Sequence, residues 1–484
     1  MPKPLPDIRQ LDDCVWEIPR SGGMRVPGRI YADERLMPDI RSEQSLAQVA
    51  NVAHLPGIVS RSLAMPDIHW GYGFPIGGVA ATDPSDGGVV SPGGVGYDIN
   101  CGVRLVASSL GHDDIRSRVA DITKALFRDV PCGVGSSGAI GTLSRKELED
   151  VMVRGAEWAV GKGFGTEADL DHTEERGRLA SADPSKVGPR AIERGLDQVG
   201  TLGSGNHFME LGFVDEVYDE TAAAAFGLRL GGVTLMIHSG SRGLGYQVCD
   251  DYLEVMQGAV GKYRIELPDR QLACAPVDSN EGRRYLAAMA CAANYAWANR
   301  QVMMALAKRA MAGVFGGTEQ SLGLRLVYDV CHNIAKLERH EVEGRAKVLC
   351  VHRKGATRAF AAGCEGVPDA YRTVGQPVLV PGDMGTHSYV CVGTHAAMEN
   401  TFGSTCHGAG RVMSRAQARK HARGRKLTDE LTEMGVFVMA TGKGTLAEEM
   451  PFAYKNVSDV VGVMDRAGIA RRVARLRPLG VIKG

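Results

Sequence analysis

The sequence predicts an α+β protein: a single large mixed domain over residues 1–484, with several β-sheets and surrounding helices. Three observations carry that expectation. The chain has 484 residues, 44% of them hydrophobic, which is enough for a large core and too apolar for disorder. Short apolar or β-branched runs are interleaved with helical patterns, without a regular βαβ alternation. No stretch of linker composition divides the chain.

In chain order, a short helical period occupies residues 44–53 and a longer one residues 113–127. A β-branched run, 233–237, leads into His238. A long helical pattern spans 283–314; its most apolar part, 285–307, is interrupted by Asn294, Asn299 and Arg300, so it reads as a packed helix and not a membrane span. Residues 324–330 form a strand pattern before His332, and 378–380 another before Pro381. Residues 416–434 read as one helix, and a shorter helical pattern lies near the C-terminus. The 62 glycines are about 13% of the chain, nearly twice average usage, yet they form no repeat. At strand ends they let backbone approach a ligand closely, so function is expected there.

Lysine plus arginine and aspartate plus glutamate each number 56, for a formal net charge of zero. Any nucleic-acid site must therefore be a local patch. Two stretches qualify: Arg411, Arg415, Arg419, Lys420, Arg423 and Arg425, and the tail with Arg466, Arg471, Arg472, Arg475 and Arg477; solvated helix faces are an equally good account of each. Eleven cysteines without a paired framework, and no signal-peptide pattern at the first residues, point to the cytoplasm.

In GVGYDINCG, Asp98 and Cys101 stand three residues apart in a glycine-bounded turn or helix start, so carboxylate and thiol can face one point. GSGNHFMEL sets His207 after a Gly-Ser-Gly turn, with Asn206 beside it and Glu210 one helical turn on. His238 and His332 close strand patterns. A lone buried cysteine is usually a small hydrophobe, and a lone histidine usually a structural hydrogen-bonder. A thiolate, three imidazoles and a carboxylate together exceed a closed tetrahedral set, which favours an open or binuclear centre. Ligand softness suits zinc, while the carboxylate and a phosphate substrate also suit manganese.

In TFGSTCHGAGRVMSR, His407 sits in a glycine-lined neighbourhood, with Arg411 and Arg415 at successive four-residue steps. If the chain is helical from Arg411, both arginines share a face with the site. Glycine amides and guanidiniums suit a phosphate, and a neutral imidazole beside it can attack phosphorus to form a phosphoramidate.

The strings MPDIHWGYGFPIGG, GVGYDINCGVRL, GSGNHFMEL, IHSGSRGLG, HRKGATRAF, PGDMGTHSYV, HGAGRVMSR and PLGVIKG occur in that order across most of the chain. Together they closely resemble the RtcB family of tRNA-splicing and RNA-repair ligases. The resemblance implies a GTP- and manganese-dependent RNA ligase joining 2′,3′-cyclic phosphate or 3′-phosphate ends to 5′-hydroxyl ends. It implies that His407 carries the guanylate and that Asp98, Cys101, His207, His238 and His332 hold two Mn2+ ions, with Cys101 bridging. The nucleotide contacts it implies are Asn206, His207, Phe208, Met209, Glu210, His332 and Asn333, then Pro381, Gly382, Asp383, Met384 and Ser388, and finally His407, Gly408, Ala409, Gly410, Tyr454 and Lys483.

Glu210 accepting from guanine and Lys483 donating to its carbonyl would reject adenine, provided the tail folds back onto the core. His69, Arg242, Arg353, Lys354, Arg358 and Arg411 are candidates for RNA or triphosphate, weighed against structural ion pairs. The family commonly has serine at the place of Asp383 and a small residue at that of His387; a carboxylate there repels a triphosphate unless compensated. RNA is the implied partner, with an archease-type accessory protein. The competing readings are a binuclear phosphoesterase acting on RNA cyclic phosphates without ligation, and an RNA-binding protein with a structural metal.

Overall fold

Two large sheets organise the molecule, a computed structural model that describes residues 5–484. The first has the strand order Arg9–Asp12, Val15–Ile18, Gly28–Tyr31, Ser62–His69, Ile76–Thr82, Arg345–Lys354, Asn333–Val342. The second runs Arg325–Cys331, Gly102–Gly111, Gly232–Ser239, Phe208–Val217, Ala470–Lys483, Ser388–Gly393, Pro377–Val380, and Phe437–Ala440 adds parallel to Ala470–Lys483. This is the mixed architecture the sequence predicts. His332 is the single residue between Cys331 of the second sheet and Asn333 of the first, so the two sheets meet at a predicted metal ligand.

Strand register then aligns the site. Val103 lies opposite His238, His238 opposite Phe208, and Phe208 opposite Lys483. Residues directly opposite in a sheet share a face, so this row brings distant segments to one surface.

The long apolar pattern forms the helix Asn280–Phe315, capped by Ser279 at its start and by Gly316 in the left-handed region at its end. Its polar interruptions are braces. Arg300 is fully buried and donates to the carbonyls of Asn100 at 2.7 Å and Ser239 at 2.9 Å. It also pairs with Asp329, which Arg104 shares. Asn299 accepts from the backbone of Gly200 and Thr201 and donates to Gly240 O. These bonds fix the turn before Cys101 and the end of the strand that carries His238.

Three expected elements differ. Residues 113–127 are two helices, His112–Ile115 and Val119–Asp129, because the chain turns at Arg118 to seat Ile122, Ala125 and Leu126 in the core. Residues 416–434 divide into Arg415–His421 and Leu427–Glu433 around Gly424, whose φ of +78° a helix cannot hold. The arginine-rich tail is no helix face but the strand Ala470–Lys483. Its arginines are paired, Arg471 with Asp219, Arg472 with Asp465 and Arg475 with Asp215. Arg466 pairs with Asp33 from the preceding helix. No helix among the described residues is long and apolar enough to cross a membrane.

Candidate functional site

The five predicted donors converge. His207 Nε2 lies 2.7 Å from Asp98 Oδ2 and 3.5 Å from Cys101 Sγ; His238 Nε2 lies 3.3 Å from Cys101 Sγ and 3.3 Å from His332 Nε2. They form two groups, Asp98–Cys101–His207 and Cys101–His238–His332, which share the Cys101 thiol. Burial, followed by neighbouring imidazoles, holds His238 and His332 well below the usual imidazole range, so both present lone pairs. At 3.3 Å the Nε2 atoms of His238 and His332 either share one proton or, with both lone pairs turned inward, hold a cation between them. Burial and Asp98 hold the Cys101 thiol well up; coordination to a cation reverses that, since a ligating thiol is deprotonated outright. The donor set fits a metal, and its sharing of one sulfur fits two ions. The turn leaves no space for bulk, since a Cβ on Gly240 would lie 2.2 Å from Asp98 Oδ1. Second contacts aim the ligands: His207 Nδ1 meets Leu202 O at 3.0 Å, and Ser241 N donates to Asp98 Oδ1 at 3.0 Å.

His407 follows the short strand Ser404–Cys406, and its ring lies 4.8 Å from that of His332. The residue that orients it is Asp67, which the sequence reading missed. Asp67 is fully buried on the strand Ser62–His69, and its Oδ2 accepts from His407 Nδ1 at 2.6 Å and from the backbone N–H of His407 at 2.9 Å. A carboxylate accepts only, so the Nδ1 proton is fixed toward Asp67 and Nε2 is the ring atom left for the cavity. Gly410 permits the close approach: at φ +73° it brings backbone so near that a Cβ would lie 2.3 Å from Asp67 O. Asp67 lies in the MPDIHWGYG string, but nothing local links it to a histidine 340 residues away.

Asp98, Cys101, His238, His332 and His407 open into one cavity of about 900 Å3, with His207 behind them. Most of the implied nucleotide contacts line it: Asn206, Phe208, Glu210, His332 and Asn333, then Pro381, Gly382, Asp383 and Met384, then His407, Gly408, Ala409, Gly410, Tyr454 and Lys483. Three do not. Glu210 lies on a strand and not a helix, so alternation turns Phe208 and Glu210 to the cavity and Met209 into the opposite core. Ser388 is buried behind the wall, accepting from Gly382 N. His207 belongs to the donor cluster. Asn333 has both ends of its amide engaged, by Asp98 O and Gly355 N.

The outer wall is a set of mutually paired charges. Glu449, absent from the sequence reading, accepts from Tyr454 and Arg411 and lies 3.8 Å from Lys483 Nζ. The Arg411 guanidinium covers the Tyr454 ring at 4.9 Å. Arg411 is not helical; it bridges to Tyr454, and the helix starts only at Arg415. Burial brings Lys483 down to about 8, while burial and then Asp383 push Glu210 up to about 8. Asp383 is occupied by its own turn, accepting from Gly385 N and Thr386 N.

The phosphate candidates divide. His69 and Lys354 line the cavity, with the Lys354 ammonium donating to Tyr72 O and Phe74 O. Arg242 stands beside the donor cluster, its Nε on Thr201 Oγ1. Arg353 and Arg358 make the structural ion pairs weighed against that role: Arg353 is fully buried on Glu338 at 2.7 and 2.8 Å, and Arg358 pairs with Glu175 at 2.7 Å. Of the patch after the site, Arg415, Arg419 and Arg425 are also paired, with Glu448, Glu448 and Glu430.

A family model described as tRNA-splicing ligase RtcB matches residues 48–484. A tRNA-splicing ligase RtcB of Archaeoglobus fulgidus is 56% identical over 479 residues, covering 99% of each chain. One from Thermococcus kodakarensis is 52% identical over 478 residues, again 99% of each. An RNA-splicing ligase RtcB of Mycobacterium tuberculosis is 50% identical over 438 residues, 90% of this chain and all of its own length. With the candidate donor cluster, the cavity and these matches together, the chain belongs to the RtcB family of tRNA-splicing ligases.

Proposed function

We propose that this enzyme joins RNA 3′-phosphate ends, including those opened by water from 2′,3′-cyclic phosphates, to 5′-hydroxyl ends through a guanylate carried on His407. The observation that supports this best is the Asp67–His407 contact at 2.6 Å, in a cavity that also holds the donor cluster. His407 Nε2 attacks the α-phosphorus of GTP, and pyrophosphate leaves. The RNA 3′-phosphate then takes the guanylate, breaking the P–N bond and restoring the imidazole. The 5′-hydroxyl attacks the activated end, GMP departs, and a phosphodiester forms.

Two Mn2+ ions on Asp98, Cys101, His207, His238 and His332 would neutralise phosphate charge and align reacting oxygens. Asp67 holds the attacking ring in one tautomer. Glu210 and Lys483 face the cavity on adjacent strands, where they read the guanine edge, and Tyr454 flanks the base.

The test is incubation with manganese and α-labelled GTP, then denaturation. Covalent label stable to alkali and lost in acid is expected on the wild type and absent from His407→Ala. An unlabelled wild type that still opens cyclic phosphates is instead a metal phosphoesterase.

A further inference from the structure

The four tryptophans are not alike. Trp16, Trp158 and Trp297 are buried, and each lies under a cation, from Arg41, Lys162 and Lys336 respectively. Trp70 is 60% exposed and stands on the wall of the catalytic cavity, three residues after Asp67. No ring or cation among the described residues covers it.

Its backbone, by contrast, is held fast. Trp70 N donates to Glu43 Oε2 at 3.0 Å, and Gly71 exchanges hydrogen bonds of 3.1 and 2.6 Å with the Gln48 amide. Glu43 precedes the residues matched by the family model, so part of this clamp comes from the N-terminal segment. An indole on a fixed backbone has little freedom to lose when a flat partner settles on it. The cavity also continues into a shallow groove through Met413 and Gln417, which line both, toward Lys420 and His421. An uncovered aromatic face in a cavity that opens toward a groove carrying Lys420 is a combination suited to single-stranded nucleic acid.

We propose that Trp70 is a stacking platform for a nucleobase at the broken end of an RNA strand, an inference that rests on the RNA-joining reading of the site. Stacking would hold the end in place without choosing its sequence, since every base has a π face. Glu43 and Gln48 act as positioning residues for the indole.

The four-tryptophan pattern makes the test direct, because Trp70 is the one exposed tryptophan among the described residues, and excitation at the red edge selects indole over tyrosine. The protein is titrated with two short oligonucleotides, one ending in a 3′-phosphate and one in a 5′-hydroxyl. Quenching of tryptophan emission is expected with at least one of them, which identifies the strand, and is lost in Trp70→Phe. In sealing assays, Trp70→Ala should raise KM for that strand roughly 5- to 150-fold, the range of one base–aromatic stack, with Trp70→Phe closer to the wild type. Absence of quenching by both strands, or wild-type KM in Trp70→Ala, overturns the proposal. Guanylate labelling of the wild type, measured without RNA, reports separately on the reading beneath it: failure there leaves the quenching result to decide whether RNA stacks at all.

Discussion

The donor half of the cavity and its outer wall are both buried and polar, yet they are held in different ways. Around the donors, side chains bond to backbone: His207 to Leu202 O, Asp98 to Ser241 N, Arg300 to the carbonyls of Asn100 and Ser239. Along the wall, titratable side chains bond to one another, Glu449 with Tyr454 and Arg411 and close to Lys483. Backbone anchors cannot be exchanged for a guest, so the donor half is pre-organised. Side-chain pairs can be exchanged, so the wall can trade the Lys483–Glu449 contact for those of a nucleotide, while Arg411 keeps its bonds to Met413 O and Glu448 O. His407 stands at the junction, fixed on one nitrogen by Asp67 and free on the other.

The largest effect should come from breaking that junction. Asp67→Asn keeps the volume but allows the wrong tautomer, and guanylate transfer should fall by about 100- to 10,000-fold, with GTP affinity little changed. Single-turnover labelling against GTP concentration separates the two; a loss confined to affinity would mean that Asp67 only shapes the cavity.

Next is the donor half's support. Arg300→Met leaves Asp329 buried with only Arg104 and removes two backbone braces. Stability should drop by about 3–5 kcal/mol, and metal affinity by roughly 10–100-fold. Urea denaturation and metal titration measure these; unchanged metal affinity in the folded variant would show that the donors need no brace and remove the contrast between the halves.

The smallest effect is a pH dependence of the wall. Glu210 is raised to about 8 and Lys483 lowered to about 8. Below that pH Glu210 is protonated and can no longer accept from two N–H groups of guanine at once; above it Lys483 loses its charge. GTP affinity should therefore peak near pH 8 and fall up to about tenfold per unit on either side. Calorimetry across that range checks it, with the acid limb absent in Glu210→Gln and the alkaline limb absent in Lys483→Met. A flat profile would place both groups outside base recognition.

Much of the site was legible because its chemistry is written locally. Asp98 and Cys101 share one turn, the histidines close strands, and His407 sits among glycines. What was not legible depends on contacts between remote segments. Arg300 reads in sequence only as an interruption of an apolar helix, Glu449 as one more acidic residue, and Arg353 and Arg358 as available cations until their buried carboxylates are seen. The tail's arginines read as a helix face because bulges at Arg475/Leu476 and Pro478/Gly480 disturb the alternation that marks a strand.

The sequence by itself determined the donor types, the glycine-bordered turns, the long central helix and the family, because each is carried by residue identity and short-range spacing. Only the tertiary structure decided that Asp67 orients His407, that Lys483 reaches the cavity by pairing with Phe208, and which arginines are already neutralised. The physical reason is that hydrogen bonds and ion pairs depend on distance in space, and chain periodicity keeps no record of a partner hundreds of residues away.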